Sequence, residues 1–188
     1  MPVPTTVSHS KALRTRATGF SDDRAVADPI MAEGLPLVPR IPASASAMMF
    51  DVGGRLLVLK PNYKKGWTIP GGQIEPDGES PWEACRRETR EECGLEVAQG
   101  RLVCVDFLRP KSNRPGGVRF LFDCGTLTDR QLSAIRVQDG EIDEHRFVGL
   151  SEAIAMLSGP VRRRVAAGVG AKCCVYLEDG RPVPGVDG

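Results

Sequence analysis

The chain has 188 residues, a formal net charge of +1 and 41% hydrophobic residues. That length favours one domain, and the near-neutral charge gives no support to a broad nucleic-acid surface. No apolar run approaches the ~18 residues of a membrane span, and the N-terminus lacks the apolar core of a secretory signal.

Residues 1–41 carry scattered Pro, Ser, Thr and charges with weak periodicity, which describes a flexible N-terminal extension. Its last stretch, Leu35 to Ile41, is more apolar and is the part suited to packing on the domain or on a second subunit; its prolines restrict it to an edge. Residues 43–50 form a small and apolar run that reads as a strand. Asp51-Val-Gly-Gly-Arg55 is a hairpin turn, and residues 56–59 are the returning strand. Residues 61–66 make a polar loop holding Tyr63, Lys64 and Lys65. These side chains suit a phosphate or a base, and equally a solvated turn. Residues 67–70 are short and extended.

The strongest local signals come next. Ser80 stands at an N-cap, Glu83 completes a capping box, and Pro81 occupies the first helical position. Gly94 supplies the stop. The result is a helix of about 13 residues, roughly 20 Å long. Trp82, Cys85, Thr89 and Cys93 share its core-facing side. Glu88, Glu91 and Glu92 lie beside that stripe, where like charges cost a few tenths of a kcal/mol per pair. A hard divalent cation with oxygen ligands would reverse that cost. Otherwise the three are a solvated acidic face paired with Arg86, Arg87 and Arg90.

After the helix, residues 96–98 and 101–110 read as strands. In the second, Val103, Val105 and Phe107 alternate with Cys104 and Asp106. Residues 111–117 are a basic, glycine-rich loop, and residues 118–125 return as a buried strand with Phe120 and Phe122 on one face. A helical turn capped by Thr128 falls within 127–135. Residues 138–147 are acidic and carry Glu141, Glu144 and His145. A helix over 151–157 takes Ser151 as its cap, and Gly159-Pro160 breaks it. Arg162, Arg163 and Arg164 open a further helical run, suited to phosphate or, more commonly, to solvent. A short strand at 173–177, a turn at 178–181 and a mobile tail end the chain. The six cysteines form no Cys-x-x-Cys pair and there are two histidines. This pattern argues against structural zinc and for reduced thiols in a cytoplasmic protein.

The stretch Gly71-Gly-Gln-Ile-Glu-Pro-Asp-Gly-Glu79, continued through Arg87-Glu88, Glu91-Glu92 and Gly94-Leu95, resembles the Nudix box. From Glu79 onward the spacing is complete, and Trp67-Thr-Ile-Pro resembles the family's usual entry. Two departures stand out. The loop between Gly72 and Glu79 carries one extra residue near Asp77, and Thr89 replaces an aliphatic residue. With its flanking strands the resemblance covers residues 43–158.

The resemblance implies an α/β fold, an α/β/α sandwich with a mixed β-sheet, over residues 42–179, followed by a tail at 180–188. It implies hydrolysis of a diphosphate bond, in a nucleoside diphosphate linked to another moiety or a related organic diphosphate, with Mg²⁺ or Mn²⁺. The metal would be held by Glu88, Glu91, Glu92 and the Gly71 carbonyl, with Glu92 the first choice. Arg87 would orient Glu79 or a box glutamate. The general base falls to Glu88, the first choice, to Glu91, or to a glutamate of the 141–144 segment, where Glu141 and Glu144 are the candidates. Tyr63, Lys65 and Trp67 are the substrate-facing candidates, with Phe107 and the 111–117 loop as further ones. Substrates would be small molecules, with no membrane or nucleic-acid partner, and pairing as a homodimer stays open. The alternatives are a Nudix-fold binding or regulatory module without turnover and a prenyl diphosphate hydrolase. The related isomerase chemistry relies on histidine metal ligands and a catalytic cysteine, and with only His9 and His145 this chain supports it poorly.

Overall fold

The computed structural model describes residues 40–112 and 114–186. The extension expected over 1–41 therefore lies, apart from Arg40 and Ile41, outside the described residues.

The frame is a mixed sheet. Strands β1 (Ala43–Phe50), β2 (Leu56–Pro61), β3 (Gly71–Gln73), β4 (Arg101–Leu108), β5 (Gly117–Thr126), β6 (Ile142–Val148), β7 (Val175–Glu178) and β8 (Arg181–Pro182) run in the order β6-β2-β1-β5-β4-β7-β8, and β3 pairs with β1. The β1–β5 and β4–β7 pairs are parallel and the others antiparallel. Strand alternation splits the core in two. Ala45, Ala47 and Met49 point to one face, where Leu57, Leu59 and Phe122 meet Ala84, Cys85 and Cys93 of helix α1 (Pro81–Cys93). Met48, Leu56, Val58 and Leu121 point to the other. There they meet Ala153 of α3 (Leu150–Met156) and Val165 of α4 (Gly159–Gly168). The short α2 (Asp129–Ala134) follows β5 and is capped by Thr128, as its sequence requires. Helices thus cover both faces, which is the expected sandwich.

Local signals were decisive where they were strong. Ser80 and Glu83 form the capping box of α1, Pro81 opens it, and Gly94 closes it at φ 70°. In the β1–β2 hairpin, the Asp51 carboxylate accepts from the Gly53 and Arg55 amides at 2.9 and 2.8 Å.

Four details differ from the sequence reading. Residues 96–98 join no strand; Leu95 and Val97 instead bury their side chains against the α1 face of the core, and Arg86 Nε donates to the Val97 carbonyl at 3.0 Å. Helix α3 starts at Leu150, so Ser151 lies within its first turn and Gly149 takes the cap position. Pro160 opens α4 rather than standing outside it, because an N-terminal proline lacks only an amide that no helical partner would use. A register shift between Leu102 and Cys104 lets both Val103 and Cys104 be buried and turns Asp106 inward.

Asp106 is fully buried, and its partner is the last arginine of the 162–164 triplet. Arg164 Nη1 donates to Asp106 Oδ2 at 3.2 Å, while the Gly180 amide donates to Oδ1 at 2.9 Å. This pair joins β4, α4 and the β7–β8 hairpin. Arg164 is therefore a structural cation, in contrast to the solvated or phosphate-facing role its triplet suggested.

Candidate active site

The site is built where β3 runs into α1. Strand β3 lies antiparallel to β1, with Gly71 opposite Ser46 and Gly72 opposite Ala45. A methyl group at Gly71, which sits at φ 144°, would lie 2.3 Å from the Ala45 carbonyl oxygen. One at Gly72 would fall 2.4 Å from the Glu88 carboxyl carbon. The glycine pair is thus required from both sides: Gly71 by the neighbouring strand and Gly72 by a carboxylate of the helix.

Arg87 collects the acidic groups. Its Nε and Nη2 donate to the two oxygens of Glu79 at 2.7 and 3.0 Å. Its Nη1 donates to Glu88 at 2.7 Å and to Glu91 at 3.2 Å. Nη2 also reaches the Gln73 carbonyl at 2.9 Å, which ties the start of the loop to the helix. A fork of this kind fixes orientation as well as charge. The Arg87 contact holds Glu79 below the usual carboxylate range, and Glu79 in turn raises Arg87 further above its already high value. The extra loop residue is accommodated without loss of this contact. The Glu79 amide donates to Asp77 at 3.2 Å, and the Glu75 amide donates to Glu79 at 2.9 Å. A cavity of about 470 Å³ lies over this corner, lined in part by Glu79, Arg86, Arg87 and Arg90.

Glu92 is the most buried of the acidic set, at 5% exposure. Its Oε2 accepts from the Gly71 amide at 2.8 Å. Burial pushes its pKa up to about 8; the Gly71 amide opposes that rise, and the charges of Glu88 and Glu141 add to it. Burial also raises Glu88, against the pull of Arg87. Two carboxyls are therefore held close together in a place that disfavours their ionised forms.

The loop between β2 and β3 closes the other side. The Asn62 amide donates to the Glu141 carbonyl at 2.9 Å, and its side chain donates to the Gly140 carbonyl at 2.6 Å. Asn62 thereby joins the lysine-bearing loop to the acidic segment. Tyr63 is 63% exposed, and Lys64 Nζ lies 5.2 Å from the centre of its ring. Partial burial and the negative field of Glu92, Glu141 and Glu88 raise the Tyr63 hydroxyl. Lys64 is lowered by desolvation, with Glu92 opposing.

The candidates from the sequence therefore fall into two sets. Glu79, Arg87, Glu88 and Glu91 converge directly, Glu92 meets Gly71, and Tyr63 and Glu141 stand in the electrostatic field of Glu92. Lys65 is exposed in the same loop, but it is Lys64 that feels the Glu92 charge. Trp67 packs on the α3–α4 side of the core, with the Arg146 guanidinium 4.9 Å from its ring centre. Glu144 lies on β6 and bonds Arg146 at 2.5 Å. Asn62 was not singled out from the sequence; nothing in its neighbours points to Gly140, 78 positions away.

The donor set is all oxygen, as a hard divalent ion requires. Its chemistry fits such an ion, since a cation would relieve the two suppressed carboxyls Glu88 and Glu92. Among the described residues no three acidic, histidine or cysteine side chains already converge as a cage. The reason is visible: Arg87 holds Glu79, Glu88 and Glu91, and the Gly71 amide takes one oxygen of Glu92.

Comparison with known proteins agrees with this architecture. The chain is similar to a NUDIX hydrolase from Nitrosomonas europaea, with 21% identity and a TM-score of 0.58 over 79% of this chain and 97% of that one. It is similar to a MutT protein from Methanosarcina mazei Go1, with 23% identity and a TM-score of 0.55 over 65% and 87%. Both likenesses speak to the fold. A stretch of 50 residues is 42% identical to rat (Rattus norvegicus) diphosphoinositol polyphosphate phosphohydrolase 2; it is 27% of this chain and spans only 27% of that relative's length. The model of the NUDIX domain matches residues 40–167. With the glycine pair, the Arg87 fork and the glutamates of α1 all inside that match, the chain belongs to the NUDIX domain family.

Proposed function

We propose that this protein is a pyrophosphohydrolase that cleaves the diphosphate bond of a small organic diphosphate, using Mg²⁺ or Mn²⁺. One observation carries the reading: on α1 the buried Glu92 and the half-buried Glu88 stand one turn apart where burial disfavours their ionised forms, beside the Gly71-Gly72 pair. Helix stability alone would not select this arrangement.

Glu92, Glu88 and Glu91 would hold the ion, with the Gly71 carbonyl completing the set. When bound, the ion would neutralise phosphate charge and acidify an attacking water. Arg87 keeps the helix carboxylates and Glu79 in one orientation, so little rearrangement is left for the reaction itself. The base that takes the water proton is assigned to Glu88, Glu91 or Glu141, all close to the same acidic cluster. Lys64 and Lys65 supply positive charge toward phosphate, and exposed Tyr63 offers a face on which a base or ring can stack.

The substrate class is a nucleoside diphosphate linked to a second group, or another small diphosphate. The name of the rat relative supports adding densely phosphorylated diphosphates to the candidates. Free thiols at all six cysteines suit a reducing cytoplasmic setting. No helix among the described residues is long and apolar enough to cross a membrane.

The test is product analysis by mass spectrometry after incubation with Mg²⁺ or Mn²⁺. The panel holds nucleoside triphosphates, ADP-ribose, sugar nucleotides, dinucleoside polyphosphates, prenyl diphosphates and inositol diphosphates. Cleavage of one class by the wild type and not by Glu92→Gln establishes the activity. Tight binding of a panel member without cleavage replaces it with a binding module.

A further inference from the structure

We infer that Arg119 is a second anion subsite, reached from the candidate active site along a polar row of the sheet, so that the substrate is a diphosphate whose far group carries a further phosphate. For the reaction this rests on the hydrolase reading; the binding it describes is tested apart from turnover.

Register fixes the row. Gln73 of β3, Ser44 of β1, Arg119 of β5 and Asp106 of β4 stand opposite one another. Opposed residues share a sheet face, and Asp106 meets Arg164 of α4, so this is the face away from α1. Ser46 and Gly71 stand opposite each other in a parallel row on the same face, where a methyl group at Gly71 would lie 2.6 Å from the Ser46 hydroxyl oxygen. The Gly71 amide in turn holds Glu92. From Gly71 to Arg119 the face presents Ser46, Ser44 and Gln73. The serines are half-buried and Gln73 is exposed. Two strands across and two residues along put Arg119 about 12 Å from Gly71, backbone to backbone. A sugar or inositol ring between two phosphates covers that span.

Arg119 is the cation left over at this end of the sheet. Arg164 is matched by Asp106, Arg109 by Glu178 and Arg114 by Asp179. Among the described residues Arg119 donates to neutral carbonyls alone. Its Nη1 reaches Val118 at 3.0 Å and Pro42 at 3.2 Å, and its Nη2 reaches Gly116 at 2.8 Å. These bonds hold the guanidinium against the 111–117 loop and leave its Nε without an acceptor among the described residues. The Nε of neighbouring Arg114 is buried and has no acceptor either. Burial and the like charges of Arg164 and Arg114 lower the Arg119 pKa, with Asp106 opposing. A phosphate would supply the missing anion, and the planar fork of an arginine suits it.

The same row bears on the choice of substrate. A prenyl tail laid along Ser46, Ser44 and Gln73 would meet no apolar surface, which places prenyl diphosphates last among the candidates.

The experiment uses two pairs of diphosphates that differ by one ribose phosphate: coenzyme A with dephospho-coenzyme A, and NADP⁺ with NAD⁺. Calorimetric titration of the full chain in Ca²⁺ reads affinity, and kcat/KM in Mg²⁺ is read separately. The phosphorylated member of at least one pair should bind about tenfold tighter. Arg119→Met should erase that difference and leave the affinity for the other member unchanged, and Arg119→Lys should keep part of it. Arg130→Met, which removes an exposed charge on α2, should keep all of it. Circular dichroism checks folding, since Arg119 also clips the loop. Should Arg119→Met not fold, Ser44→Asp carries the test: a carboxylate opposite Arg119 neutralises it and should abolish the difference. Equal affinities within both pairs, or no binding of any of the four, overturns the proposal. So does a difference that survives Arg119→Met or Ser44→Asp, or one that Arg130→Met also removes. If the preference is present and nothing is cleaved in Mg²⁺ or Mn²⁺, the hydrolase reading fails and the subsite stands.

Discussion

The Glu92 carboxylate accepts a hydrogen bond from the Gly71 amide at 2.8 Å, across 21 positions of sequence. This contact pins the end of α1 to the start of the loop that precedes it. It also leaves Glu92 as a buried carboxyl with one amide for company and two other carboxylates nearby.

Glu92→Gln keeps an oxygen that can accept from Gly71 but removes the negative charge. Turnover should fall by about 10²–10⁴-fold. The melting temperature should hold or rise, because a buried carboxyl whose charged form the site disfavours is replaced by a neutral amide. Steady-state kinetics beside a thermal melt checks both; near-normal turnover would displace Glu92 from the metal set.

The pH dependence of the metal-free protein has a definite sign. Glu92 binds its proton up to about pH 8 when folded, against an ordinary value of 4.5 when unfolded. Between those values the folded state holds more protons than the unfolded one, so stability falls as pH rises. From pH 5 to pH 8 the loss is on the order of 3 kcal/mol, and Glu88 acts in the same direction. Denaturant melts in EDTA should show this slope, Glu92→Gln should flatten it, and Mg²⁺ should restore stability at pH 8.

Gly72→Ala tests the fit between loop and helix. The added methyl group meets the Glu88 carboxylate at 2.4 Å, and Arg87 restrains that carboxylate from moving away. A loss of about 1–3 kcal/mol is expected, with a drop of at least tenfold in kcat. Gly149→Ala, where φ is −57° and a methyl group meets nothing within 4 Å, controls for the general cost of replacing a glycine.

Asp106→Ala would leave Arg164 buried without its anion and the Gly180 amide without its acceptor. Removing one partner of a buried pair costs about 3–5 kcal/mol. The double variant Asp106→Leu, Arg164→Met should be markedly less damaging, because no uncompensated charge remains. Chemical denaturation of the three proteins decides it; equal losses would mean that the pair matters only for its volume.

Much of this was legible in the sequence. Helix α1 was fixed by groups within one segment: Ser80 and Glu83 satisfy its first amides, Pro81 gives up an amide that needs no partner, and Gly94 takes the left-handed cap. The spacing of Glu79, Arg87, Glu88, Glu91 and Glu92 follows from the same helical geometry, so the gathering of charge around Arg87 was foreseeable. Apolar runs bounded by turn residues likewise placed β1, β2 and β5. Tertiary structure alone decided which element covers which side chain. It put residues 96–98 across α1 instead of in the sheet, and a bulge at residues 102–104 turned Asp106 inward to meet Arg164. It joined Asn62 to Gly140 and Glu141. Caps and turns are settled by hydrogen bonds between near neighbours, which a sequence displays. The state of a buried charge or thiol depends on whatever distant segment excludes water from it, and that segment is named only when the chain has folded.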